Sequence, residues 1–453
     1  MAKPNLQDVA AQLLDLAKSA GADAADVVVA AGESLSAETR DGRLEHAERA
    51  EGVDAGLRVL IGKRQACVSA SDLRAPTLRA LAERAVAMAK AAPEDPWCGL
   101  ADPEQLCPAD LRDAAALELD DPDGPPSPAA LEAASLAAEA AAAAVEGVSR
   151  MDGAGASWSR NELFLAATNG FSGGYARAHA TTYASAIAGE GLEMERDHAA
   201  ETRRAFAALP DPEGIGTRAG RRAVARMSPR RAPTGAVPVL FDQRVSTSLL
   251  HHLVGAANGA AVARGASWLS EKLGEAVLPA GFTLIEEPDR VRGPSSRPFD
   301  AEGLRAARRE IVTDGVLNGW TLDLASARKL GMQSTGNAGR GMASPPSPAT
   351  TNLRLAAPVA AARDAMAARM GRGLIVTSLM GASINGTTGD YSRGASGFWV
   401  EDGAVVYPVN ELTIAGNLHR MLAALEAADD PNPELGVIAP SLLVAEGLTV
   451  AGV

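Results

Sequence analysis

Apolar positions recur at helical spacing at the start of the chain, where Leu6, Val9, Leu13, Leu14 and Ala17 share one face and Asp8 and Asp15 fall elsewhere. From Ala25 to Ser71 the pattern changes to alternation of apolar and polar residues, punctuated at Asp41-Gly42 and Gly62-Lys63, which predicts a run of antiparallel strands. A second helix is expected over 75–91. The Pro- and Asp-rich passage from about 92 to 128 reads as a surface connection. An alanine-rich helix then opens with Ser127 as N-cap and Pro128 at its first position. Alternation returns between Arg150 and His198, with turn signals at Arg160-Asn161 and Asn169-Gly170.

A helix over 213–227 runs into Pro229, Pro233 and Pro238, which mark a domain boundary. Beyond it the spacing predicts a strand over 236–241 and a long helix over 243–263 that carries His251 and His252. Hairpins are expected around Asp314-Gly315 and Asp402-Gly403. Glycine is dense in this half, and strands bent by glycine with few helices over them predict a curved sheet. The expected fold class is therefore α+β. Residues 1–228 form an N-terminal domain of helices packed on an antiparallel sheet, and residues 235–453 a glycine-rich, barrel-like β domain with a long helix.

The chain has 453 residues, 47% of them apolar and 22% charged, the profile of a soluble globular protein. Aromatics are only 4% and alanine is abundant, so many helix contacts should be built from small side chains. A net charge of −13 argues against nonspecific adhesion to nucleic acid or an anionic membrane, and no nucleic-acid motif appears. Arg218, Arg221, Arg222, Arg226, Arg230 and Arg231 interrupt that balance, either as a surface for an anionic partner or as a solvated helix end. Cys67, Cys98 and Cys107 offer no paired framework and fit a reducing compartment. With no secretory h-region and no apolar run long enough to span a membrane, a cytoplasmic location is expected.

Familiar catalytic patterns are absent. In "GLRVLIGKR" five residues separate Gly56 from Gly62 where a phosphate loop has four, and Arg64 stands at its Ser/Thr position. No GxGxxG follows a strand, and "GASGF" fails as a nucleophile elbow because Phe398 replaces the last glycine. Asn385-Gly386-Thr387 is a formal glycosylation sequon without a secretory signal. Adjacent residues of a helix point about 100° apart. His251 and His252 therefore do not converge on one ion, and Val254, Gly255 and Ala256 offer no further ligand.

Longer segments carry a resemblance. These are "GADAADVVV", "RDGRLEHAERAEGVDAGLRVLIGKRQACVSASDL", "RGASWLSEKLGE", "SSRPFDAEG", "LDLASARKLGMQSTGNAGR", "LMGASINGTTGDYSRGASGFWVEDGAVVYPVNELTIAGNLHRML" and "APSLLVAEGLTVAG". With them the chain resembles the TldD/PmbA family of metallopeptidase subunits, specifically its PmbA (TldE) branch. The catalytic TldD branch of that family carries HExxxH and a C-terminal cysteine. Laid on this pattern, His251 falls on the first histidine, His252 on the glutamate and Ala256 on the second histidine, and residues 431–453 contain no cysteine.

The resemblance thus implies a subunit with no catalytic and no metal-binding residues of its own. It would pair with a TldD-type subunit that holds zinc or a similar divalent metal, and the pair would hydrolyse unstructured peptides. An extended peptide could lie along sheet edges in the shared cleft. Asp390, Tyr391 and Arg393, with Asn337 in the loop Ser334 to Gly341 and His252, are the candidate cleft or partner contacts. An Asp390–Arg393 pair that fixes a turn is the structural alternative for that segment. Two other functions compete: a self-sufficient metallohydrolase with a divergent site around His251 and His252, and a regulatory binder, since the family also carries the label of DNA gyrase modulator. A homodimer could form when the partner is absent.

Overall fold

The computed structural model describes residues 4–452. Residues 1–3 and 453, the outermost positions of the two expected domains, lie outside the described residues. Helix α1 (Leu6–Ser19) is capped by Asn5, whose side chain accepts from the Gln7 and Asp8 amides. It buries Leu6, Val9, Leu13 and Ala17, with Leu14 partly covered, as its spacing requires. Strands β1 (Ala24–Arg40), β2 (Arg43–Ile61) and β3 (Arg64–Ala70) follow, and Asp41, Gly42 and Gly62 take positive φ in the tight turns between them. Next come α2 (Ala75–Ala91) and α3 (Pro128–Ala143), the latter capped by Ser127. Strands β4 (Val148–Ala167), β5 (Ser172–Ala188) and β6 (Glu195–Arg203) and helix α4 (Pro212–Ala225) complete this half.

The six strands form one antiparallel sheet in the order β3-β2-β1-β4-β5-β6. Side chains alternate across it. Val27, Val29, Leu35 and Ala37 of β1 face the helices. Val28 of β1 and Leu165 of β4 face the other way, onto Phe171 of the β4–β5 turn, Cys107 of the 92–128 passage and Phe299 of the C-terminal half.

One expectation fails here. No turn forms at Arg160-Asn161: β4 runs straight through, because Asn161 is laddered to Gly32 on one side and Arg177 on the other. A central position with both backbone ladders filled overrides a local turn signal. The passage 92–128 lies largely at the surface, as expected, but it is tied down. The Cys107 amide donates to Gly303, the Arg292 amide to Leu117 and the Ala178 amide to Leu119, so the passage is a strap pinned to both halves.

The second half comprises β7 (Gly235–Phe241), α5 (Gln243–Ala256), α6 (Gly259–Ala263), β8 (Thr283–Glu286), β9 (Arg309–Thr313), β10 (Val316–Leu317) and α7 (Leu324–Leu330). It continues through β11 (Ala338–Gly339), β12 (Ser347–Pro348), β13 (Leu353–Ala356), α8 (Arg363–Met370), β14 (Gly373–Ile384) and β15 (Asp390–Glu401). It ends with β16 (Ala404–Asn417), α9 (Leu418–Ala423), β17 (Leu425–Ala427), β18 (Val437–Ile438) and β19 (Leu442–Gly452).

Strands β7, β14, β15, β16 and β19 close into a five-stranded barrel through the β16–β19 pairing, and β10-β9-β8-β13-β18 curve beside it as a half-barrel. The fold class is α+β, with the barrel that the glycines predict. At Gly397 of β15 an added Cβ would lie 1.8 Å from the Ile375 carbonyl, so only glycine lets β14 and β15 approach there. The expected long helix over 243–263 is instead two. The chain breaks at Ala257-Asn258, Asn258 caps α6 by accepting from Ala260 and Ala261, and the Gly259 amide turns to the Thr321 carbonyl.

Candidate functional site

Helix α5 positions the two histidines. Asp242 caps it, accepting from the Arg244 amide at 3.2 Å, and Leu249, Leu250, Leu253 and Val254 bury its apolar face in the core shared by the barrel and half-barrel. His251 is exposed and His252 half-buried. The His252 ring meets Tyr391 of β15 edge to face, centroids 5.8 Å apart at 76°. Both His252 Nε2 and Tyr391 Oη are buried with no hydrogen-bond partner. Arg393 lies two residues further along the same face of the strand, and its Nε donates to the Gly381 carbonyl at 2.7 Å.

Burial, then the charge of Arg393 and the neighbouring His251, holds the His252 pKa below its usual value. Burial pushes the Tyr391 hydroxyl above its usual range, with Arg393 opposing. Both rings are therefore neutral near pH 7, one hydroxyl donor and one imidazole nitrogen free to donate or accept. They can hold a polar group, such as a peptide amide, but cannot jointly supply charge.

A groove of 470 Å³ runs beside this cluster. The C-terminal half lines it with Arg244, Ser248, His251, Thr377 and Arg393, and the N-terminal half with His198, Glu201 and Arg218. Arg244 of its lining belongs to an ion cluster that joins the halves. Asp197 of β6, 5% exposed, accepts from Arg244 at 3.1 and 2.5 Å and lies 3.7 Å from Arg226. Burial alone would raise the Asp197 pKa. Bonds and charge from Arg244, the His198 amide and Arg226 outweigh it and hold the carboxylate below the usual range.

The arginine cluster is thus neither a free anionic-partner surface nor a simple solvated end. Arg218 pairs with Glu201 at 2.6 Å, Arg226 with Glu195 at 3.3 Å, and Arg230 lies over the Tyr407 ring at 5.0 Å. Arg221 and Arg231 are exposed and match the solvated reading, and Arg230 is exposed too but rests on the Tyr407 ring.

Of the candidate residues, His252, Tyr391 and Arg393 come together. Asp390 does not pair with Arg393: it is exposed and accepts from Thr388 and Asn417 at 2.7 and 3.0 Å. Asn337 belongs to a different, buried network, where its Nδ2 donates to Glu286 at 2.8 Å. Sequence reading missed Arg244, Asp197 and Thr377. Arg244 and Asp197 pair across 47 positions, so no spacing signals them, and the buried Thr377 Oγ1 has no hydrogen-bond partner among the described residues.

The donors at this site do not fit a catalytic divalent metal. Among the described residues no three His, Cys, Asp or Glu side chains are gathered around one point. The charged group beside His252 is the guanidinium of Arg393, which repels a cation.

A larger cleft, 1040 Å³, lies between β5, β6, the strap and the loop near Gly293. The buried Arg204 on its wall donates to the carbonyls of Ala178, Arg292 and Gly293 and contacts His179 Nε2. Burial, then Arg204 and Arg177, pulls the His179 pKa down to about 4. The donors of Arg204 are spent mainly on backbone carbonyls.

Comparison with known proteins places this architecture. Descriptions of PmbA/TldA metallopeptidase domain 1, central domain and C-terminal domain match residues 25–89, 121–227 and 234–452. "Metalloprotease PmbA" of Escherichia coli O157:H7 is 37% identical over 416 residues, covering 92% of this chain and 89% of that protein. The chain belongs to the PmbA/TldD metallopeptidase family. A PmbA homolog of Haemophilus influenzae is 34% identical over 95% of this chain and 93% of its own. A TldD homolog of the same organism matches 48% of this chain and 46% of its own at 27% identity, so the family includes both branches. A Bacteroides thetaiotaomicron protein described as a modulator of DNA gyrase superposes with a TM-score of 0.88 at 25% identity, covering 100% of both chains. TldE from Thermococcus kodakarensis shares the fold, with a TM-score of 0.83 at 20% identity over 98% of this chain and 99% of that one. Among the described residues no helix is long and apolar enough to cross a membrane.

Proposed function

We propose that this chain is the PmbA (TldE)-type subunit of a two-subunit cytoplasmic metallopeptidase. It holds no catalytic metal and forms one wall of the cleft in which a TldD-type partner, carrying zinc or a similar divalent ion, hydrolyses unstructured peptides. In this reading residues 1–228 and 235–453 are its two domains. The observation that carries it is the pair of partnerless polar atoms, His252 Nε2 and Tyr391 Oη, beside Arg393 on the face where a metal set would have to stand. Buried polar groups are normally satisfied, and this pair lies beside Arg393, the one of the three that lines the groove, so a group that reaches past Arg393 would satisfy it.

The chemistry suits binding rather than bond cleavage. Two neutral hydrogen-bonding groups and one guanidinium can hold a peptide's amide or carboxylate, but nothing among them deprotonates water as a metallopeptidase must. Asp390 contributes through the Thr388–Asn417 turn rather than by direct contact, and Asn337 by fixing the half-barrel.

The test is to purify the chain, measure bound metal, and assay an unfolded peptide with the chain alone and with a TldD-type partner. Cleavage that needs both proteins, from a chain holding less than stoichiometric metal, is the expected result. Stoichiometric zinc with cleavage by the chain alone establishes the self-sufficient hydrolase instead.

A further inference from the structure

Strand β2 is longer than the strand that flanks it. β3 pairs with it only from Ala55 to Ile61, while β1 lines its other side along its whole length. From Arg43 to Gly52 every residue is exposed, on both faces of the sheet, and among the described residues no strand occupies the outer edge. An open edge of this length is a template for another strand.

The direction of its peptide groups follows from the neighbouring hairpin. Ile61 and Arg64 close the two-residue Gly62-Lys63 turn, so the Ile61 N–H and C=O point toward β3. Alternation is unbroken back to His46, since the register of β2 against β1 slips only opposite Glu38 and Thr39. The N–H and C=O groups of Ala47, Arg49 and Glu51 therefore point out of the open edge.

We propose that this edge pairs with the same edge of a second copy of the chain, antiparallel, with Ala47 on the two-fold axis. The side chains say so. With Ala47 opposite Ala47, Glu45 meets Arg49 of the other copy and His46 meets Glu48. Every charged position thus faces its complement.

Neighbouring registers lose this. An axis at His46 sets Arg43 against Arg49, one at Glu48 sets Glu45 against Glu51, and one at Arg49 sets that residue against itself. The bulge at Glu45 ends the regular ladder, so the paired stretch is Glu45 to Arg49 in each copy. Arg49 is already oriented, bonded to Glu51 at 2.9 Å and Glu33 at 3.1 Å. In a chain of net charge −13, which otherwise repels its copies, such local matching is what selects this edge. The contact lies in the N-terminal sheet and leaves the groove beside α5 free.

Sedimentation of the full chain over a concentration series tests the proposal. The wild type should pass from 46.3 kDa to twice that mass as concentration rises. Ala47→Pro removes a donor that faces outward and spares the β1–β2 ladder, so it should weaken self-association about tenfold or more with the melting temperature held. Arg49→Glu should do the same by placing like charges opposite each other. The double exchange Glu45→Arg with Arg49→Glu should restore the dimer, an outcome that a merely unfolded variant cannot give.

A chain that stays monomeric at every concentration overturns the proposal, as does a dimer indifferent to these changes. So does loss of association with a TldD-type partner in Ala47→Pro, which would assign the edge to that partner. Peptide cleavage by the mixed pair reports separately on the groove and should be unchanged in Ala47→Pro.

Discussion

His252 and Tyr391 meet edge to face at a centroid distance of 5.8 Å, and neither Nε2 nor Oη finds a hydrogen-bond partner. An unsatisfied buried polar group costs about 1–3 kcal/mol, so the pair is kept at the expense of stability. Tyr391→Phe removes the hydroxyl and keeps the ring contact. The variant alone should be more stable by about 1 kcal/mol in chemical denaturation, while peptide cleavage with a TldD-type partner should fall about tenfold. Reduced stability together with reduced cleavage would mean that the hydroxyl holds the fold.

Arg393 makes one hydrogen bond, to a carbonyl, and no carboxylate lies within ion-pair distance of it among the described residues. Its guanidinium is free to engage an incoming group. Arg393→Ala should cut cleavage by the mixed pair by about 10- to 100-fold while changing stability by less than about 1 kcal/mol. Parallel losses of activity and melting temperature would make it a structural residue.

The halves are held together by a buried charge cluster whose pH response has a definite sign. Asp26 is 2% exposed and accepts from Arg58 at 2.7 Å and from Arg340 of the opposite half. Burial would raise its pKa, but the two guanidiniums outweigh that and hold it below the usual range. Its contribution is complete above the unfolded value of about 3.9 and is lost as pH falls through the lowered folded value. Asp26→Asn leaves two buried cations uncompensated and should cost about 3–5 kcal/mol at pH 7. Denaturant titrations from pH 7 to about 3 should show the gap between the two proteins narrowing only at the acid end.

Much of this was readable from local pattern. Turn residues with positive φ placed the hairpins at Asp41-Gly42, Asp314-Gly315 and Asp402-Gly403, because the chemistry that permits those turns lies in the residues themselves. Signals that depend on distant chain were misread. Arg160-Asn161 is a turn in isolation and strand interior once β1 and β5 flank it. The break at Asn258 depends on the Thr321 carbonyl receiving the Gly259 amide. At the site, the family resemblance located α5 and the strand of Tyr391. The Asp197–Arg244 bond across the halves has no counterpart in spacing or composition, and Asn337 looked like a loop residue because its partner Glu286 lies 51 positions away.

Small side chains were expected to build the helix contacts, and α3 against α4 shows why they must. A Cβ added at Gly216 of α4 would stand 1.9 Å from the Ala138 carbonyl of α3, backbone that cannot step aside without separating the helices. At Gly214, two positions earlier, a Cβ would meet nothing within 4 Å. The two substitutions to alanine carry the same gain in helix propensity, roughly 1 kcal/mol. Gly214→Ala should show that gain. Gly216→Ala should instead destabilise by about 1–3 kcal/mol or more, because overpacking against backbone exceeds the propensity term. Thermal melts of the two variants beside the wild type check the pair. A Gly216→Ala protein as stable as Gly214→Ala would show that α3 and α4 can move apart at little cost, and that their close approach does not set the stability of this half.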